Sequence, residues 1–204
     1  MAAERYEIRI AGSGGQGVIL ATELIGQAIT LYEEGLYVVQ SQAYGPEARG
    51  GKSKAEVVIS SEPIDYPKVM APNLQVILTQ AAVEYAPDTT PGGRIVYDDF
   101  FVTDLPGFSS SYGGGSVEEF RGRIDARVYT LPIVRTARDK LEREIVTNMV
   151  ALGCVGRVLD LEKIASSDSL RKAIAAHFPV VKIAELNIRA FDEGYEIFKQ
   201  SPLP

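Results

Sequence analysis

The sequence predicts an α/β fold: an open, mostly parallel, Rossmann-like sheet with helices on both faces and a helical C-terminal third. Three observations carry this. The alternating run Tyr6-Glu7-Ile8-Arg9-Ile10 ends in Gly12-Ser13-Gly14-Gly15-Gln16-Gly17, and a helical pattern starts at Val18. Short apolar runs bounded by glycine and proline then recur as far as Tyr129, and from Val134 the apolar period becomes helical. A chain of 204 residues holds one such domain with a full core, and no repeat or linker divides it, so residues 1–204 are read as a single domain.

Composition narrows the function classes. Apolar content of 46% and charged content of 24% are those of an ordinary globular protein. A net charge of −6 opposes a bulk electrostatic grip on nucleic acid or on an anionic membrane. Met1-Ala2-Ala3-Glu4-Arg5 leads straight into a strand without a signal-peptide pattern, and no uninterrupted apolar span follows, which predicts a cytoplasmic protein without membrane insertion.

Taken in order, the first strand and the glycine turn lead into a helix in which Val18, Ala21, Leu24, Ile25, Ala28 and Ile29 recur on one face, to about Tyr32. Glu33-Glu34-Gly35 ends it. Leu36-Tyr37-Val38-Val39 suits a short buried parallel strand, completing a βαβ unit. Ser41 to Lys52 reads as a loop carrying three glycines, a proline, Arg49 and Lys52. Strands follow at 54–60, 75–79 and 94–98, the last entered through Gly92-Gly93. Residues 99–116 read as loop, with no regular structure over 109–116. Ala126–Tyr129 is a sixth strand, left at Pro132. Two helical pieces reach about Leu161, and Ser167-Asp168 caps a helix to His177. In the last helix Ala184, Ile188, Phe191, Tyr195 and Phe198 form one apolar stripe, which packs on the core or on a partner subunit.

The chemistry centres on Gly12, Ser13, Gly14, Gly15, Gln16 and Gly17. The spacing of Gly12, Gly14 and Gly17 is G-x-G-x-x-G, between a strand and a helix start as that motif requires. Residues without a Cβ allow the tight turn, and the helix N-terminus offers unpaired N–H groups to an anion. Glycine turns also end strands for structural reasons alone, so the turn by itself says no more than an anionic, nucleotide-like ligand. A dinucleotide site makes a second demand, an acidic side chain at the end of the second strand, roughly 20 residues on, for the ribose hydroxyls. Here that strand ends in Val39-Gln40-Ser41-Gln42, and Glu33 and Glu34 lie at its other end. The loop supplies Arg49 instead, flanked by Gly50 and Gly51. A guanidinium grips a phosphate through two parallel hydrogen bonds. The pattern fits a phosphate-rich ligand that does not depend on a free ribose diol. Coenzyme A fits, and an NADP-like ligand stays open.

No catalytic constellation accompanies the turn. Cys154 is the single cysteine; it sits among apolar neighbours and cannot hold a cluster or structural zinc alone. His177, the single histidine, falls at a helix C-terminus, where a cation complements the dipole. Asp98-Asp99 are paired carboxylates after the fifth strand, for which capping is commoner than acid–base work. No nucleophile–histidine pair and no metal-ligand spacing is evident, so neither catalytic nor metal residues are assigned.

With both loops in hand, the sequence resembles the gamma subunit, or equivalent domain, of the 2-oxoacid:ferredoxin (acceptor) oxidoreductases. The resemblance rests on Gly12-Ser13-Gly14-Gly15-Gln16-Gly17-Val18 and on Ser41-Gln42-Ala43-Tyr44-Gly45-Pro46-Glu47-Ala48-Arg49-Gly50-Gly51. The strand ending in Ile59-Ser60, Pro63-Ile64-Asp65-Tyr66-Pro67, Pro91-Gly92-Gly93 and Asn148-Met149-Val150-Ala151-Leu152-Gly153 add to it. It is close over about Ile8 to Tyr97 and looser, though continuous, to about Tyr195, and the stretch 99–124 departs in length and composition.

The resemblance implies an assembly that converts a 2-oxoacid, coenzyme A and oxidised ferredoxin or another acceptor to acyl-CoA, carbon dioxide and reduced acceptor. It implies thiamine diphosphate and iron–sulfur clusters on partner subunits: thiamine-binding alpha/beta-type chains and a ferredoxin-like chain. The present chain would help bind coenzyme A as co-substrate and hold the assembly together, with an electron acceptor protein as a further partner. The competing expectation is a stand-alone nucleotide-dependent oxidoreductase or nucleotide-binding regulator. Nothing in the sequence names the 2-oxoacid.

Overall fold

The computed structural model describes residues 4–44, 52–103 and 125–201. Its centre is a six-stranded sheet in the order β2-β3-β1-β4-β5-β6. The strands are β1 (Tyr6–Ser13), β2 (Tyr37–Tyr44), β3 (Lys52–Ser60), β4 (Leu74–Ile77), β5 (Gly93–Asp98) and β6 (Ala126–Leu131). β1, β4, β5 and β6 run parallel, whereas β3 lies antiparallel between β1 and β2.

That insertion corrects one expectation. β2 is not a buried parallel strand beside β1 but the outer arm of a β2–β3 hairpin at the sheet edge, where Tyr37 is 51% exposed. It is also longer than its apolar run, because ladder bonds to β3 carry it through Ser41, Gln42, Ala43 and Tyr44. Composition reads those residues as loop; ladder hydrogen bonds to β3 override it. The expected irregular stretch at 109–116 lies outside the described residues.

The helices follow their apolar periods. α1 spans Val18–Tyr32, and all six of the residues that define its face are buried. A helical turn, α2 (Ile133–Arg135), runs into a π-turn over Thr136–Lys140 and a 3-10 turn at Glu144–Val146 before α3 (Thr147–Glu162). α4 (Ser167–His177) is capped one residue earlier than expected: Ser166 Oγ accepts Asp168 N at 3.1 Å, so Ser166, not Ser167, is the N-cap. α5 (Val181–Gln200) turns Ala184, Phe191 and Phe198 inward, with Ile188 and Tyr195 half-buried, and lies along α3. Its stripe therefore serves this chain's own core.

Helices cover both faces unequally. Tyr6, Ile8 and Ile10 of β1, with Val57, Val76, Val96 and Tyr129, form one core with α1, α3, α4 and α5. On the other face Ala11, Ile77, Ile95 and Tyr97 meet Ala82, Val83 and Ala86 of a 3-10 helix, Gln80–Asp88, which the sequence does not announce. This second face is charged towards β3. Arg9, with 3% of its side chain exposed, pairs with Glu56 at 2.7 Å and Asp88 at 2.5 Å. Among the described residues no helix is long and apolar enough to cross a membrane.

Candidate functional site

β2 and β3 lie on one side of β1 and β4, β5 and β6 on the other, so the strand order reverses beside β1. In open α/β sheets ligands bind at such a reversal, outside the carboxyl ends of the strands. The glycine turn occupies that place.

Two side chains set its shape. Gln16 folds back so that its Oε1 accepts Ser13 N at 2.7 Å while its Nε2 donates to Leu78 O, just past β4, at 3.3 Å. It thereby ties the ends of β1 and β4 together. A Cβ on Gly12 would run into that Gln16 side chain, which explains the first glycine. Asn148, at the start of α3, donates Nδ2 to Gly17 O at 3.3 Å and accepts Met149 N through Oδ1 at 3.0 Å. Positive φ falls on Gly15 (96°) and Gly17 (69°), and a Cβ on Gly17 would lie 2.5 Å from Asn148 Nδ2.

The turn leaves donors over. Gly17 is the N-cap of α1 without a side-chain cap, and no acid stands in the first turn. Ser13 N is spent on Gln16 and Gln16 N on Ser13 O. Among the described residues the amides of Gly14, Gly15, Gly17, Val18 and Ile19 find no partner. These are the groups that hold phosphate oxygens at a helix N-terminus. A cleft of about 220 Å³ opens over them, lined by Gly15, Gln16, Glu144, Ile145 and Thr147. It has room for a phosphate or pyrophosphate, and is smaller than the roughly 300–1,000 Å³ that encloses a whole drug-sized ligand. The rest of a larger ligand must lie across the surface, where Ile145, 83% exposed, offers an apolar contact.

The neighbouring strand decides what kind of anion fits. On the hairpin side of β1, opposite β4, stands not the carboxyl end of a parallel strand but the start of β3, with Lys52 registered opposite Ser13. A cation thus stands where a ribose-binding site places its acid. Lys52 Nζ pairs with Glu84 at 2.5 Å. Since β2 ends at Tyr44 opposite Ser53, the connection from 45 to 51 leaves and re-enters the sheet at the turn's end. Arg49, Gly50 and Gly51 lie on that connection, outside the described residues.

The remaining polar candidates are structural. Asp98 is fully buried and caps the exits of β5 and β6: its oxygens accept Phe100 N at 3.1 Å, Phe101 N at 2.8 Å and Val134 N at 2.8 Å. Burial raises its pKa despite those bonds. Asp99 sits 3.4 Å from Arg135. Cys154 is buried, its thiol 3.4 Å from Gly194 O, and burial pushes its pKa up. His177 is an exposed last residue of α4, edge-on to Phe178. No group of three His, Cys, Asp or Glu side chains that could hold a metal ion occurs among the described residues.

Sequence reasoning did not find the lock on the turn. Asn148 acts across 131 residues, and neither its spacing nor its neighbours announce the contact. The wall from Glu144 to Thr147 was likewise invisible, since it exists only where the irregular segment after β6 folds against the turn.

Residues 7–197 match the family described as pyruvate ferredoxin/flavodoxin oxidoreductase. The chain is 41% identical over 197 residues to 2-oxoglutarate synthase subunit KorC of Methanocaldococcus jannaschii, covering 96% of this chain and 95% of that one. It superposes on the keto/oxoacid ferredoxin oxidoreductase gamma subunit of Geobacter sulfurreducens with a TM-score of 0.76 at 37% identity, covering 97% and 98% of the two chains. The 2-oxoglutarate:ferredoxin oxidoreductase of Magnetococcus marinus, solved with 2-oxoglutarate, coenzyme A and succinyl-CoA, shares the fold. There the TM-score is 0.78 at 23% identity, over 99% of this chain and 32% of that chain.

Proposed function

The chain belongs to the pyruvate ferredoxin/flavodoxin oxidoreductase family as a gamma subunit of a multi-subunit 2-oxoacid:ferredoxin oxidoreductase, and on that premise we propose that its glycine turn binds coenzyme A phosphates. The observation that carries this is the register of Ser13 against Lys52. It puts a row of unpartnered amides, a lysine and the ends of the Arg49 connection at one corner of the sheet.

The groups fit their ligand. Backbone N–H groups at the start of α1 suit a pyrophosphate. Lys52, and Arg49 from the connection, answer a molecule carrying a third phosphate on its ribose, where a diol-binding acid would repel it. Exposed Glu144 on the cleft wall is an unfavourable charge that can turn towards water, and Glu84, paired with Lys52, is a second that an anion on Lys52 must displace or tolerate.

In this reading the chain binds and orients one co-substrate, and thiamine diphosphate and the iron–sulfur clusters belong to partner subunits of thiamine-binding and ferredoxin-like type. Supporting this, a single buried cysteine cannot supply the thiolates of a cluster. The full-length likeness to KorC makes 2-oxoglutarate the first acid to test, and succinyl-CoA the expected product. The assembly works in the cytoplasm and passes its electrons to an acceptor protein.

The test is Arg49→Ala in the assembled complex. Loss of a charge-assisted bond of about 1.5–3 kcal/mol should raise the KM for coenzyme A roughly 10- to 150-fold and leave that for the 2-oxoacid nearly unchanged. Arg49→Lys should restore part of the loss, since an ammonium keeps the charge but not the planar fork. An unchanged coenzyme A dependence in the folded variant complex would overturn the assignment.

A further inference from the structure

We infer that the opposite end of the sheet carries a second, separate anion site, built for a small oxyanion of carboxylate or phosphate size. A cleft of about 130 Å³ lies there, lined among others by Tyr6, Asn73, Gly92, Arg94, Arg127 and Glu162. Tyr6 opens β1 and Ser13 closes it, so the two sites are roughly 23 Å apart at 3.3 Å per residue.

Two buried side chains in this cleft have donors without acceptors. Arg94 is 8% exposed and Tyr6 5%; the Arg94 guanidinium lies against the Tyr6 oxygen, yet neither Arg94 Nε nor the Tyr6 hydroxyl proton has an acceptor of good geometry. Native interiors rarely leave such groups unsatisfied, and here two of them line one cleft. Arg94 spends Nη1 on Glu162, at the C-terminus of α3. Arg127 is exposed and donates Nη2 to Gly92 O at 3.2 Å, which leaves most of its fork open. Asn73 accepts Glu7 N through Oδ1 at 2.8 Å, so its amide nitrogen remains a donor. Two guanidinium groups against one carboxylate leave the cleft net positive. Burial raises the Tyr6 pKa, so the hydroxyl stays protonated and able to donate. A planar or tetrahedral oxyanion seated between Arg94 and Arg127 accepts from Arg94 Nε and from Tyr6 at once, with a charge-assisted bond among them. The site shares no residue with the glycine turn, so it stands or falls independently of the coenzyme A assignment.

The experiment is an NMR titration of the full isotope-labelled chain with sodium phosphate, and separately with sodium acetate, chloride holding the ionic strength constant. Saturable shifts of the Gly92 and Gly93 amides and of Arg94 Nε–H are expected with at least one anion, and the tighter one identifies the class. Arg127→Gln, at an exposed position, should weaken this response about ten-fold. Tyr6→Phe should also weaken it, while the melting temperature without anion stays equal or rises because an orphaned hydroxyl has gone. Shifts confined to Gly14, Gly15 and Gly17, shifts that never saturate, or affinity unchanged in Arg127→Gln would each overturn the site.

Discussion

Two sets of glycines do opposite work in this protein. In the turn after β1, Gly15 and Gly17 take positive φ and leave amides facing a cleft. In the seam between α3 and α5, Gly153 and Gly194 are ordinary helical residues whose missing Cβ lets two backbones touch. A Cβ on Gly153 would meet Phe191 O, and one on Gly194 would meet Val150 O. The turn uses glycine for conformation and access; the seam uses it for close approach. Only the first kind writes a motif, because a turn is made of neighbours in sequence, whereas a seam is made of two helices some forty residues apart.

The sharpest way to break the comparison is Gly194→Ala. Backbone carbonyls cannot retreat as a flexible side chain does, so the helices must part, and the loss should be about 3 kcal/mol or more. Denaturant unfolding of the variant measures it; a loss under about 1 kcal/mol would show that the seam yields easily.

Gly17→Ala should cost less, about 2–3 kcal/mol, from left-handed backbone and the collision with Asn148. Measured again in an Asn148→Ala background, the same change should cost only the backbone share, about 1–2 kcal/mol. Equal costs in both backgrounds would mean that Asn148 does not press on the turn. Gly15→Ala meets nothing within 4 Å, so only its φ of 96° is at stake. Its expected penalty is about 1 kcal/mol, read from the same denaturant unfolding.

The smallest effect sharpens the other side. Cys154 lies in the seam with its thiol pKa raised by burial, so iodoacetamide should fail to label it in the native chain. Labelling should appear in Gly194→Ala at a rate set by opening of the seam. Fast labelling of the unaltered chain would show that α3 and α5 already separate.

What the sequence determined by itself is local. The period of Val18 to Ile29 set the face and start of α1, and Glu33-Glu34-Gly35 its end near Tyr32, because a helix is bonded to itself and needs only its own face. The stripe of α5 was legible for the same reason; the strands were legible as short apolar runs, β2 only in its first half, and the glycine turn by its place between strand and helix. The family resemblance was legible because two loops carry unusual residues at fixed spacing. Tertiary structure alone decided the strand order. Nothing in Tyr37–Tyr44 says that β3 will slip between it and β1, since pairing free energy depends on which partner is already in place. It alone decided that Gln16 would close the turn on β4 and that Asn148 would hold it from α3. A hydrogen bond across 131 residues leaves no periodic trace, and so the glycine turn could be located in the sequence while its lock could not.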